Sequence, residues 1–296
     1  MTRFSVIIPA HNEAAVIGRC LRVLCLDADG NRIDRADDME VIVACNGCSD
    51  DTAAIVRRFA RDTGANVRVV ETTSAGKVLA LNLGDAAASH LPRLYVDADV
   101  RLPWADARAL AEALHDEVAP VMAPSVRFDC TGRPWAVRAF YRVWSGLPYC
   151  RNLIGSGVYG LSAEGRRRFD TFPRITADDA FVRLTFPPAE RETLRSATFV
   201  VEVPRTFWAL IQIKARAHFG NREVAARYAE THAGAGREPG QRQALMRLAR
   251  SARRWPDIAA YLTVRIAARL LAARRWHFGD HQAWERDEST RMEAVT

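Results

Sequence analysis

The chain of 296 residues lacks any long uncharged apolar run. No window approaches about 18 apolar residues without a charge, so we expect no membrane-spanning helix. The N-terminus, MTRFSVIIPAHNE, has neither the extended apolar stretch nor the small-residue cleavage site of a secretory signal. Internal repeats and low-complexity tracts are also missing. These absences predict a globular protein of the cytoplasm.

Cysteines are few and poorly arranged for a metal site. The chain has 6 of them, and Cys45 and Cys48 form a Cys-x-x-Cys pair. A structural zinc would need four ligands, and no second matching pair completes such a set. A reducing cytoplasm keeps thiols free. The cysteines therefore indicate neither a zinc centre nor a disulfide framework.

Acidic residues are outnumbered by basic ones. Lys and Arg total 42 against 35 for Asp and Glu, which gives a net charge of +7. This excess suits phosphate-bearing ligands, nucleic acid or an anionic membrane surface, and charge alone does not choose among them. The basic stretches carry no nucleic-acid-binding motif and no aromatic platform, so we expect no nucleic-acid partner.

Strand-like and helix-like segments alternate along the first part of the chain. The predicted strands span 4–9, 40–45, 67–72 and 94–100, and the predicted helices span 13–26 and 52–62 and begin again after Gly76. This alternation predicts a parallel sheet with helical crossovers. Ligands of such sheets bind at the carboxyl ends of the strands. The turns AHNE, NGCSDD and DAD all follow strands, so we expect them to meet in one crevice.

Two aspartates, Asp97 and Asp99, close the fourth predicted strand in LYVDADVRL. Strand alternation would point both at one face, and two like charges repel unless a cation lies between them. Mg²⁺ and Mn²⁺ are bound by one or two carboxylates together with substrate phosphates. The alternative is an exposed turn with two solvated acids, and this short pattern alone leaves both open.

The wider context contains four ordered motifs: FSVIIPAHNE (4–13), NGCSDDT (46–52), GKVLALNLG (76–84) and LYVDAD (94–99). Their order and spacing resemble the family 2 glycosyltransferases, which are inverting enzymes of the GT-A fold. The resemblance covers about residues 3–185. It implies an α/β fold with a mixed, mostly parallel central sheet flanked by helices and followed by a C-terminal helical extension.

The resemblance also implies a nucleotide-diphosphate sugar as donor, with UDP as the default nucleotide. The residues that it assigns to the donor site are Pro9, Ala10, Asn12, Glu13, Asn46, Asp50, Lys77, Asp97, Ala98, Gly155, Ser156 and Gly157. For a Mn²⁺ or Mg²⁺ ion it assigns Asp99 and Asp97, with His218 as a candidate third ligand. A lone histidine is more often structural.

One motif departs from the family pattern. Cys45 and Asn46 stand where the family carries an acid pair, so the usual carboxylate contact to the base is lost or altered. Asn46 can still donate and accept hydrogen bonds.

Asp178 and Asp179 begin a helix predicted over 176–186. One interpretation is that paired acids at a helix start cap the helix and have no further role. The family places an acidic pair at this point, and the second member is the general base. The resemblance therefore assigns that role to Asp179, with Asp178 as the second candidate. Inversion requires one such carboxylate to take the proton of the acceptor hydroxyl.

The resemblance implies a metal-dependent, inverting transfer of a sugar from a UDP-sugar to a hydroxyl acceptor, which is a glycan, a lipid-linked molecule or a small molecule. One alternative is a nucleotide-sugar-binding or scaffold protein without turnover, for which the altered Cys45-Asn46 pair is the motive. A nucleotidyltransferase is a weaker alternative, because AHNEAA contains no glycine for a phosphate loop.

The C-terminal part of the chain is rich in arginine and reads as helical. We expect residues 1–215 to form the catalytic domain and residues 216–296 to form a helical region on the acceptor side. The segment 258–276 is amphipathic, with Trp255 and Trp276 at its ends. It either packs on the domain or lies peripherally on the inner face of a membrane, and both interpretations stay open.

Overall fold

The computed structural model describes residues 2–33, 38–148, 155–228 and 240–278, and within them eight strands form one sheet. The strands are β1 (Phe4–Ala10), β2 (Met39–Asn46), β3 (Val67–Thr72), β4 (Arg93–Val96), β5 (Val100–Arg101), β6 (Val121–Asp129), β7 (Val158–Leu161) and β8 (Arg191–Glu202). Their order across the sheet is β3-β2-β1-β4-β7-β6-β8-β5.

The helices of the described ranges lie between and after these strands. They are α1 (Ile17–Cys25), α2 (Thr52–Thr63), α3 (Lys77–Ala87), α4 (Trp104–His115), α5 (Trp135–Trp144), α6 (Ala163–Arg167), α7 (Asp178–Thr185), α8 (Phe207–Arg227), α9 (Gln241–Ala249) and α10 (Trp255–Phe278). No helix of the described residues is both long and apolar enough to cross a bilayer.

The sheet is parallel in one half and antiparallel in the other. Strand β1 pairs in parallel with β2 and with β4, and β2 pairs in parallel with β3. Strand β7 then runs antiparallel to β4 and β6, and β5 runs antiparallel to β8. Every residue of β1 and β2 is buried, as expected for strands covered on both faces. The predicted mixed α/β fold is confirmed, and the four predicted strands are β1 to β4.

The chain divides into two compact units. The first unit consists of Met1–Arg127, Ile154–Arg174 and Thr185–Val201 and holds the core of the sheet. The second unit consists of Phe128–Leu153, Ile175–Leu184 and Glu202–Thr296 and includes the long helices α8 and α10. The expected boundary between a catalytic domain at 1–215 and a helical region at 216–296 stays a prediction.

One predicted helix boundary is wrong. Helix α1 begins at Ile17, whereas the apolar spacing predicted a helix from residue 13. Asn12, just ahead of that predicted start, has φ 51°, a left-handed conformation that asparagine tolerates better than most residues. The chain therefore makes a turn between β1 and α1, and this turn lies at the carboxyl edge of the parallel strands.

Candidate functional site

The two aspartates of the DAD turn lie between β4 and β5 in the first unit. Strand β4 ends at Val96, so Asp97 and Asp99 occupy the following turn rather than one face of a strand. Both side chains are partly exposed. The side chain of Ala98, which the resemblance assigned to the donor site, instead packs into the core and is 3% exposed. Ala98 therefore offers a donor little surface.

Lys77 supplies a positive charge beside this turn. Its Nζ lies 2.8 Å from Oδ1 of Asp97. Lys77 is the first residue of α3, where the helix dipole disfavours a cation, and the ion pair with Asp97 offsets that cost. The Lys77 ammonium therefore offsets one of the two negative charges of the DAD turn.

The segment Gly155–Gly157 lies directly against the DAD turn. Gly155, Ser156 and Gly157 all have positive φ, at 117°, 64° and 110°. The N–H of Asp97 donates to the carbonyl of Gly157 at 2.7 Å. A Cβ on Gly157 would lie 2.6 Å from Cγ1 of Val100, so a side chain is excluded there. The structure thus brings together two segments that the sequence analysis assigned separately to the donor site.

Asn46 joins three parts of the site from a completely buried position. Its Nδ2 donates to the carbonyl of Ala10 at 2.7 Å, and its Oδ1 accepts from the N–H of Gly76 at 2.8 Å. Its own carbonyl oxygen lies 2.6 Å from Nδ1 of His11. A direct contact with a nucleobase would need an exposed amide atom. Asn46 therefore positions the end of β1 and the start of α3, which carries Lys77, rather than touching the base.

Replacing Asn46 by aspartate is expected to destabilise the fold, although the family carries an acid in this region. The carboxylate would keep the bond from Gly76 but would lose the donor to Ala10 and face that carbonyl oxygen. An unmade buried hydrogen bond costs about 1–3 kcal/mol. Urea denaturation of Asn46→Asp measures the loss, with the exposed Asn31→Asp as control. Equal stability of the two variants would contradict this role.

Asn12 and Asp50 tie the two neighbouring loops together. Oδ1 of Asn12 accepts from the N–H of Ser49 at 2.6 Å, and Oδ2 of Asp50 accepts from the N–H of Ala14 at 3.1 Å. Asp50 also accepts from the hydroxyl of Thr52 at 2.5 Å. The side chains of Pro9, Ala10 and Glu13, also assigned to the donor, are buried and shape these loops from within.

A cleft of about 390 Å³ opens at the ends of β2 and β3. Its lining residues are Cys45, Gly47, Cys48, Glu71, Thr72 and Thr73. Glu71 pairs in register with Cys45, so it places a carboxylate beside the position where the family's acid pair is replaced. No sequence motif pointed to Glu71, Thr72 or Thr73 as site residues. The rule that ligands bind at the carboxyl ends of parallel strands, applied to β3, would have found them.

Cys45 is not a reactive thiol. Burial is the main cause that raises its pKa to about 12, and the neighbouring Cys48 adds to the effect. Because a thiolate is the reactive form, Cys45 is neutral and inert at physiological pH.

Asp178 and Asp179 begin α7 in the second unit, and their exposures differ. Asp178 is 3% exposed, whereas the side chain of Asp179 is 35% exposed. Oδ1 of Asp179 accepts from the N–H of Ala180 at 2.8 Å, and Oδ2 lies 3.9 Å from Nη2 of Arg183. Asp179 is therefore the member of the pair that can meet a substrate.

His218 lies on α8 of the second unit among basic side chains. Burial is the main cause that lowers its pKa to about 4, and Arg265, Arg269 and Lys214 lower it further. Nζ of Lys214 lies 3.6 Å from the centroid of the Trp144 ring. A dication at His218 would face these three cations, so the surroundings disfavour the metal role that the sequence analysis considered.

The low pKa of His218 makes stability depend on pH. In the unfolded chain a histidine titrates near 6.5, so between about pH 6.5 and 4 the unfolded state binds a proton that the folded state does not. The free energy of unfolding should therefore fall as the pH falls through this window. In His218→Gln the free energy of unfolding should fall less steeply with falling pH, because a difference of up to about one bound proton between the unfolded and folded states is removed. Urea denaturation at several pH values measures this slope. Parallel pH profiles would contradict it.

The residues present fit a divalent cation bound together with a donor. Asp97 and Asp99 offer carboxylate oxygens, which Mg²⁺ and Mn²⁺ prefer. Across residues 2–33, 38–148, 155–228 and 240–278, no three or more His, Cys, Asp or Glu side chains cluster as a metal cage. Diphosphate oxygens and water would have to complete the coordination, as is usual for Mg²⁺.

Comparisons with known proteins show which family this sequence resembles. The model of the glycosyl transferase family 2 matches residues 5–169, which include the DAD turn and the Gly155–Gly157 segment. The chain is 32% identical over 117 residues to PGL/p-HBAD biosynthesis glycosyltransferases of Mycobacterium bovis (strain BCG / Pasteur 1173P2) and Mycobacterium tuberculosis (strain ATCC 25177 / H37Ra). The match covers 40% of this chain and 43% of each relative, so the chain spans less than half the length of these curated relatives.

Solved structures share the fold at low identity. The mannosyltransferase PcManGT from Pyrobaculum calidifontis, in complex with GDP-Man and Mn²⁺, aligns with a TM-score of 0.58 and 20% identity over 94% of this chain and 76% of that one. S. aureus TarS 1–349, in complex with UDP-GlcNAc, aligns with a TM-score of 0.51 and 15% identity over 96% of this chain and 94% of that one. Because the family model matches more than half of its length, this chain belongs to glycosyl transferase family 2.

Proposed function

We propose that this protein is an inverting, metal-dependent glycosyltransferase that moves a sugar from a UDP-sugar to a hydroxyl acceptor. One observation carries the proposal. The DAD turn, Lys77 and the Gly155–Gly157 segment come together at the carboxyl edge of the sheet, where an α/β fold binds its ligands. Membership of the family supports transfer as the reaction.

The donor would span the strand ends in the first unit. The nucleobase enters the cleft at the ends of β2 and β3, and the diphosphate reaches the DAD turn. Asp99 and Asp97 would hold the cation, which offsets negative charge on the departing diphosphate. Lys77, which pairs with Asp97, would contact a phosphate of the donor. PcManGT with GDP-Man and Mn²⁺ and TarS with UDP-GlcNAc support a nucleotide-sugar donor and a divalent cation.

Proton transfer falls to Asp179 in this proposal. Its carboxylate accepts the proton of the acceptor hydroxyl as that oxygen attacks the anomeric carbon. The bond between the anomeric carbon and the donor's phosphate oxygen breaks, and the nucleoside diphosphate leaves. The nucleoside diphosphate needs no separate protein acid as it leaves, because the cation would already stabilise its negative charge. The acceptor hydroxyl belongs to a glycan, a lipid-linked molecule or a small molecule, and residues 216–296 form the acceptor side.

A thermal-shift screen of nucleotide-diphosphate sugars with Mn²⁺ tests donor binding. A ligand that binds only the folded state raises the melting temperature by mass action. We expect UDP-sugars to give the largest shift, and we expect EDTA to reduce it. The absence of a shift with every donor, or an equal shift in EDTA, would contradict the proposal.

Catalysis is favoured over binding without turnover. A non-catalytic role was suggested by the replacement of the family's acid pair by Cys45 and Asn46. The contacts of Asn46 give that residue a structural task of its own, and Glu71 lies beside Cys45 in the cleft. Slow release of UDP from a UDP-sugar in the presence of Mn²⁺ distinguishes the two, because a pure binding protein releases none.

A further inference from the structure

The positive charge of the protein is concentrated in one stretch of the second unit. Residues 240–278 contain nine arginines and a single acid, Asp257, a net charge of +8. The whole chain carries +7, so the remaining residues sum to −1. Elsewhere in the chain the basic residues are thus balanced in number by acidic ones, whereas in this stretch they are not. Any partner recognised by charge would be an anion that meets α9 and α10.

Helix α10 has a buried face and an exposed face, and both are apolar. Tyr261, Val264, Ala268 and Ala272 are buried where α10 packs on α8 and α5. The opposite side carries Leu262, Ile266 and Leu270, which we call the outer stripe, at exposures of 44%, 59% and 67%. These three residues follow each other at a spacing of four, so they form one continuous row. An ordinary solvated helix face carries polar residues in that place.

Basic side chains flank the outer stripe. Arg269 and Arg274 are exposed next to it on the same helix. The one acid of the stretch, Asp257, is engaged by Arg142 at 2.6 Å and by Arg254 at 3.6 Å. A row of large aliphatic residues bordered by arginines is the pattern of helices that lie in the interface of an anionic bilayer.

We propose that the outer stripe of α10 docks on an anionic phospholipid membrane. Leu262, Ile266 and Leu270 enter the boundary between headgroups and acyl chains, and Arg269 and Arg274 contact lipid phosphates. Trp255, 62% exposed at the start of the helix, can lie at the headgroup level. Trp276, near the other end of the helix, packs its ring on Phe219 with centroids 5.5 Å apart and takes no part.

Vesicle sedimentation of the full chain tests this inference without donor or acceptor, so its outcome is independent of the proposed function. The vesicles contain phosphatidylcholine alone or phosphatidylcholine with phosphatidylglycerol. We expect sedimentation with the anionic vesicles only, and weaker sedimentation at high salt because salt screens the arginines.

Two variants separate the apolar and charged parts of the surface. Leu262→Gln/Ile266→Gln/Leu270→Gln and Arg269→Gln/Arg274→Gln should each lower the partition coefficient at least about tenfold, since both apolar burial and charge contribute. The matched controls, Val118→Gln and Arg58→Gln/Arg61→Gln, alter exposed residues of the first unit and should bind like the wild type. Circular dichroism verifies that each variant is folded.

Three outcomes would overturn the inference. A wild-type protein that stays in the supernatant with anionic vesicles shows that lipid is not the partner. Equal binding of the outer-stripe variant and the wild type shows that this face is not used. A lipid-free dimer in analytical ultracentrifugation that the outer-stripe variant abolishes would assign the face to a second copy of the chain instead.

Discussion

Replacing Asp179 by asparagine is expected to lower the rate of sugar transfer by about 10²–10⁴-fold, the usual contribution of a general base. The amide cannot take the proton of the acceptor hydroxyl. Its Oδ1 can still accept the bond from the N–H of Ala180, so α7 should begin as before. Donor affinity, measured by calorimetry with Mn²⁺, should stay near normal because the base acts on the acceptor.

Two further variants make the assignment of Asp179 specific. Asp116→Asn alters an exposed acid at the end of α4 and should transfer sugar like the wild type. Asp178→Asn alters a buried acid, so its main effect should be on stability rather than on the rate. Unchanged turnover in Asp179→Asn would refute the assignment. A folded, inactive Asp178→Asn beside an active Asp179→Asn would move the base to Asp178.

Replacing Asp99 by asparagine is expected to remove most of the increase in transfer rate that a divalent cation provides. Stabilisation of the diphosphate charge by a metal contributes several kcal/mol, so transfer should fall by about 10³-fold, at 1.36 kcal/mol for each factor of ten. The more specific readout is binding. In the wild type, donor affinity should be higher with Mn²⁺ than with EDTA, and in Asp99→Asn this difference should disappear.

The control for Asp99 is another exposed aspartate of the first unit. Asp62→Asn, near the end of α2, also removes one negative charge and should keep the full dependence of donor affinity on Mn²⁺. An Asp99→Asn variant that retains this dependence would show that the cation is bound elsewhere.

Local patterns were sufficient to predict the parallel half of the sheet. Strands β1 and β2 are continuous buried runs, and the turn residues that follow them marked the carboxyl edge correctly. The pattern of Asp97 and Asp99 likewise predicted two acids together, and β4 ends at Val96, just before them. These features depend on residues close in sequence, which is why a single sequence reveals them.

Contacts between distant segments could not be predicted in the same way. The ion pair of Lys77 with Asp97 and the amide bonds of Asn46 to Ala10 and Gly76 join residues from separate strands and loops. The family resemblance assigned Asn46 to the donor site by its position in the motif. Its complete burial depends on how β1, β2 and α3 pack, and no local spacing records that packing.

The burial of the two faces of α10 is another feature that the sequence alone could not predict. Its sequence is amphipathic to a moderate degree, and the composition left packing and membrane contact equally open. The structure separates the two sets of residues: Val264 and Ala268 are buried, and Ile266 and Leu270 are exposed. The buried face packs on α5 and α8, and membrane contact of the exposed face stays a proposal.

The most direct test of the central claim is proton NMR of a transfer reaction with an α-linked UDP-sugar in Mn²⁺ and in EDTA. We expect a β-linked product in Mn²⁺, because a single displacement inverts the anomeric carbon, and no product in EDTA. A product that keeps the α configuration, or full transfer in EDTA, would contradict it.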